Sequence, residues 1–140
     1  MGNGPALVIP YCQLHHAICL CREVATDAPG ITTGPLLHQV LNLLEGPKGH
    51  NLDPDAGTPW EGKDPPKVPH GIIPALEQAL TVHKLRDAEP AARFSLYARD
   101  IILRAAPPRD RPEIKWDVHE IRRAAKVVGF LLQAALAVFP

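Results

Sequence analysis

Cys12, His15, His16, Cys19 and Cys21 crowd into one short stretch near the start of the chain, and thiolate with imidazole is the ligand mixture that zinc or copper(I) prefers. On a helix, residues three, four and seven positions apart share a face, so Cys12, His16 and Cys19 are expected to converge. A tetrahedral site needs a further ligand, and His15 and His38 are the candidates in sequence. The spacing matches no standard zinc module, in which two loop-borne pairs bracket the ion. The competing reading makes the cysteines small buried hydrophobes and leaves the adjacent histidines at a helix surface. A cysteine nucleophile with histidine as base would need an orienting carboxylate and oxyanion donors, and no recognisable spacing supplies them.

A second group of reactive or charged side chains, Lys115, His119, Arg122, Arg123 and Lys126, lines one side of a helical pattern near the C-terminus. Such a stripe suits phosphate, an acidic partner, or anionic lipid beside a hydrophobic tail. Glu113, Asp117 and Glu120 lie close enough to neutralise much of it through short-range pairing. The segment His83-Lys84-Leu85-Arg86 resembles the phospho-accepting histidine region of phosphotransfer bundles, but those bundles continue as helix, whereas Asp87 and Pro90 here start a new element. Pro66-Lys67-Val68-Pro69 fits the minimal proline-rich ligand pattern, in a loop so dense in proline that the match carries little weight. There is no phosphate-cradling glycine loop, no His-Glu-x-x-His, no Gly-x-Ser-x-Gly and no calcium loop. Neither an enzymatic activity nor a resident cofactor is therefore expected, with zinc as the alternative.

The elements that position these residues follow from composition. A chain of 140 residues with 46% hydrophobic and 21% charged residues reads as one globular domain, and 5% aromatics means a core of Leu, Ile, Val and Ala. Sixteen prolines demand short, sharply punctuated elements. The formal net charge is zero, divided into −3 over residues 1–85 and +3 over residues 86–140. A neutral chain argues against a dedicated nucleic-acid binder. Three cysteines cannot make a disulfide framework, and together with an N-terminus lacking a secretory pattern they suggest a reducing, cytoplasmic setting.

No stretch alternates with period two, so the fold class is all-α, a small bundle of five helices. The first helix is read from about Tyr11 to Ala25, with Leu14, Ile18, Cys21 and Ala25 along one stripe. Thr33-Gly34-Pro35 opens the second by placing a capping hydroxyl before a proline, and Gly46-Pro47 stops it. Residues 46–70 form a Pro/Gly-rich connector in which Trp60 pins the loop to the body. This connector leaves open whether one core or two lobes result. The third helix spans about Ile72 to Leu85, the fourth starts at Asp87 and closes at Pro107, and the fifth runs from Ile114 to Pro140.

The fifth helix has two faces in its front half and nearly one behind, because beyond Lys126 only Gly129 and Gln133 interrupt an apolar run. A helix apolar all round must be covered all round, by its own core, a second copy, another protein or a membrane. The tail Val127 to Pro140 is too short to span a bilayer, which takes ~20 residues. The expected function is a small soluble helical protein–protein interaction module, an adaptor or inhibitor, self-association through this helix included. Val128, Leu131, Leu132 and Phe139 would form the contact, with Arg122 and Arg123 at its rim. A metal-binding regulator and a peripheral membrane protein are the alternatives.

Overall fold

The computed structural model describes residues 4–56, 71–108 and 115–140, and among them five α-helices and two single-turn 3-10 segments, with no strand. The helices are α1 (Gly4–Thr26), α2 (Gly30–Glu45), α3 (Ile72–Thr81), α4 (Glu89–Ala105) and α5 (Val118–Ala137). Helix α2 lies against all four others and is the centre of the bundle. Leu37, Val40, Leu41, Leu43 and Leu44 are fully buried on it, so nearly its whole circumference is covered. Buried residues from all five helices form one continuous hydrophobic cluster. Among the described residues no helix is long and apolar enough to cross a membrane.

Several boundaries differ from the sequence reading. Helix α1 begins well before Tyr11 and carries Pro10 inside it, although a proline there removes one hydrogen bond and costs ~3 kcal/mol. Leu7 and Pro10 are both buried in line with Leu14 and Cys21, and that packing outweighs the local cost. Helix α2 starts at Gly30, not at Thr33, because Pro29 already supplies the turn. The Thr33 hydroxyl donates back to the Gly30 carbonyl at 2.7 Å and caps nothing. Helix α3 ends at Thr81, and Asp87 makes no cap hydrogen bond: it sits in the 3-10 turn Arg86–Ala88 that precedes α4. Residues 115–117 are not helical, and α5 starts at Val118 because the Asp117 carboxylate accepts from the backbone N–H groups of His119 and Glu120. Ile114, Trp60 and Pro66 to Pro69 lie outside the described residues.

Two glycines bring the ends of the connector together. Gly46 terminates α2 with a φ of 83°, and a Cβ on Gly71, itself at φ 120°, would stand 2.8 Å from the Gly46 Cα. The connector thus leaves and re-enters the bundle at one point, as a loop closed by backbone contact. Its first part is fastened to α2 by side chains: Asn42 exchanges two hydrogen bonds with the Asp53 backbone, Gln39 donates to the Ala56 carbonyl, and Glu45 accepts from Asn51.

After α3 the chain reverses through Lys84, the one non-glycine residue at positive φ among those described, at 55°. Its left-handed conformation lets the Leu85 N–H reach the Ala79 carbonyl at 2.9 Å, which closes the helix end. A Cβ makes that conformation costly. Lys84→Gly should therefore stabilise the fold by about 0.5–1 kcal/mol, read as a rise in Tm of about 2–4 °C; an unchanged or lower Tm would show that the turn carries no such cost.

Candidate functional site

The N-terminal Cys/His group does not assemble a metal site from the residues described. Cys12, His16 and Cys19 do share the outer face of α1, and all three are exposed to solvent. His15 is exposed beside them, its ring edge-on to Tyr11 at 4.9 Å. No three His, Cys, Asp or Glu side chains among the described residues are placed so that they could hold one ion. Cys21 lies on the opposite, inner side of α1, where burial pushes its thiol from the ordinary 9.0 up to about 12. The three cysteines therefore divide into two accessible thiols and one inert core residue.

His38 is no free ligand either. It is 1% exposed, its Nε2 is 2.7 Å from the Ala106 carbonyl oxygen and its Nδ1 is 2.8 Å from Asp53 Oδ2. A carbonyl can only accept, so Nε2–H donates to it; a proton must then lie between Nδ1 and the Asp53 oxygen, since both would otherwise present lone pairs. Both ring nitrogens are thus committed, to the loop after α2 on one side and to the end of α4 on the other. The Trp116 ring closes over the imidazole edge-on at 4.7 Å, and its indole N–H donates to the Pro107 carbonyl at 2.9 Å. Gly34 makes room for it, because a Cβ there would fall 2.2 Å from the indole. This cluster is a joint between α2, the connector, the end of α4 and the start of α5. Trp116 carries no signal in the sequence, and Gly34 reads there as part of a helix start; inside α2, where it lies, a glycine is the signal that a neighbour approaches closely.

The C-terminal helix contributes differently from its sequence reading. Val128 and Leu132 are fully buried in the chain's own core together with Ile121, Ala125 and Ala135, so an outside partner cannot touch them while the bundle is closed. Leu131 is half-buried, and Phe139 is half-buried against Tyr11 with ring centroids 5.5 Å apart. Arg122 turns inward to the end of α1: its guanidinium donates to the Val24 and Ala28 carbonyls at 3.0 and 2.9 Å, where a cation complements the helix dipole. Arg123 alone of the two arginines is exposed.

The apolar surface that remains outside is rotated from the expected one. Phe130 is 62% exposed, Val127 42% and Val138 40%. With half-buried Ala134 they recur at steps of three and four residues and so form a single stripe along α5. At Val127 the stripe meets a groove of about 400 Å³ between α4 and α5, lined by Ile101, Arg104, Ala105, Glu120, Arg123, Ala124 and Val127, while Phe130 borders a separate hollow between α1 and α5. Tyr97, 53% exposed, stands on α4 one turn before Ile101.

Two measurements check these placements. Gly34→Ala should expel Trp116 and cost about 2–3 kcal/mol in a denaturant titration, with loss of near-UV ellipticity; a stability equal to the parent would contradict the tight fit. Cys12 and Cys19 should react with a thiol reagent at neutral pH while Cys21 reacts only on unfolding. The unfolded chain releases the Cys21 proton near 9.0 and the folded chain only near 12, so stability is lost as pH rises across that interval, and Cys21→Ala should flatten the alkaline fall in Tm.

No protein-family model matches this chain, and comparison with the curated proteins and with the solved structures found no match.

Proposed function

We propose that the protein is a small helical interaction module that binds a protein through the outer side of α5 and the adjoining α4–α5 groove. The observation that carries this reading is the exposure of Phe130 at the middle of a continuous apolar stripe, on a helix whose inner side already fills the core. Burying a phenyl side chain contributes roughly 1.5–3 kcal/mol, so leaving one in water beside Val127 and Val138 is a standing loss that a partner would recover. Arg104 and Arg123 edge the same surface, in the arrangement of apolar centre and arginine rim that protein interfaces favour. Two exposed free thiols, Cys12 and Cys19, suit the reducing conditions of a cytoplasm.

The two sides of α5 should respond differently to charge. Leu132→Asp places an unpaired carboxylate in the core and should cost more than about 4 kcal/mol, enough to abolish cooperative unfolding. Phe130→Glu should change stability by less than about 0.5 kcal/mol while removing the binding surface. A photoreactive phenylalanine analogue at position 130, expressed in the native cells, should give a discrete protein adduct on irradiation. The same analogue at position 31, where Ile31 is 89% exposed on α2, should give none. Equal yields from the two positions would remove the basis for this function.

A further inference from the structure

Resting on that interaction reading, we infer that the partner meets the outer side of α5 with an acidic peptide segment, which sets apolar side chains against Phe130 and Val127 and carboxylates in the hollow on each side. The argument begins with the cations that the fold already uses. On α1, α4 and α5, Arg93 is engaged by Glu89, Arg99 by Asp100, and Arg122 by the Val24 and Ala28 carbonyls. The remaining Lys and Arg residues of these helices are Arg22, Arg104, Arg123 and Lys126, and all are exposed. Among the described residues none of them has an ion pair or a hydrogen bond from its charged group.

Those same residues are the cations that line the two hollows beside α5. Helix α5 lies between α1 and α4, which do not pack on each other. Arg22 and Lys126 line the hollow of about 230 Å³ toward α1, where no carboxylate stands; Arg104 and Arg123 line the groove toward α4, where Glu120 is the one acid. An apolar stripe is thus flanked on both sides by positive charge that the chain leaves uncompensated. Like charges so placed repel one another, and a partner of opposite sign turns that repulsion into attraction.

The order of residues along α5 sets the pattern the partner must match. Arg123 precedes Val127 by one turn and Lys126 precedes Phe130 by one turn, so on each side a cation stands ~6 Å before an exposed apolar side chain. A complementary segment carries its acids at a similar distance from its apolar anchors. The hollow toward α1, walled by Ile18, Ala25, Gly129 and Phe130, gives such an anchor a place to enter. An anionic lipid surface has the right sign of charge but is flat on this scale, so it would rest on Phe130 and leave both hollows open. Side chains of a peptide fill them.

The probe is a fluorescein-labelled peptide of repeated Leu-Glu-Glu-Leu-Leu-Glu-Glu, titrated with the full chain by fluorescence polarisation. It should bind saturably and more weakly as salt is raised, and the same peptide with Lys in place of Glu should not bind. Arg22→Glu with Lys126→Glu should weaken binding about tenfold, as should Arg104→Glu with Arg123→Glu. Lys48→Glu with Arg86→Glu, the same change of charge at exposed cations outside both hollows, should leave it unchanged. Because every substituted position is exposed, Tm should stay at the parent value in all three variants. A Glu peptide that fails to bind, equal binding of the Glu and Lys peptides, or equal affinity for the parent and the variants at the hollows would overturn the acidic partner. So would a chain that ignores the peptide but sediments with phosphatidylserine vesicles and is released from them by Phe130→Glu. An adduct at position 130 whose cross-linked segment has no excess of Asp and Glu would overturn it while upholding the interaction reading, and absence of any adduct would remove both.

Discussion

The placement of α2 in the middle of the bundle is the constraint on which the rest depends. A helix touched by four others has almost no solvent side, so each polar group it carries must be satisfied inside the protein. His38 and Asn42, buried on it, reach outward to other segments, and part-buried Gln39 and Glu45 do so beside them. Asn42 and His38 grip Asp53 in the connector, and His38 also grips Ala106 at the end of α4. These bonds convert a desolvation cost into position. They hold a proline-rich loop against the body at its first part, while Gly46 and Gly71 hold its two ends in contact.

The same centre explains why α5 does not need to be covered on every side. With α2 already enclosing the core from within, α5 contributes one stripe, Ile121, Ala125, Val128, Leu132 and Ala135, and rests on α1 and α4 at its flanks. Arg122 fixes its angle to α1 by capping the carbonyls at that helix's end. What remains outside is an apolar strip whose width exceeds what this core requires. A surface of that kind has a physical meaning only in relation to something else that would cover it. The interaction reading rests on that surplus, through the exposure of Phe130 and Val127.

Chemistry that sequence alone suggested for the N-terminal cluster divides differently in three dimensions. Cys12, His16 and Cys19 share a helical face, as their spacing requires, but that face points to solvent and no described neighbour completes a coordination shell. His38, the candidate from the second helix, is spent on structure. The residues that build the joint around it, Gly34, Asp53, Ala106 and Trp116, are far apart in the chain, and a pattern search within any one helix cannot bring them together.

Local rules were legible directly in the sequence. The all-helical class, the stop at Gly46 and the break after Ala105 at Pro107 and Pro108 follow from periodicity and backbone chemistry that act within a few residues, whereas Val128 and Leu132, expected at a partner contact, lie in the chain's own core. Tertiary packing decided what those rules leave open. It carried α1 through Pro10 because burial of Leu7 outweighs one lost hydrogen bond, and it turned Arg122 inward and left Phe130 outside. Which flank of a broad apolar helix is covered depends on neighbours far away along the chain, and periodicity specifies only that one flank must be.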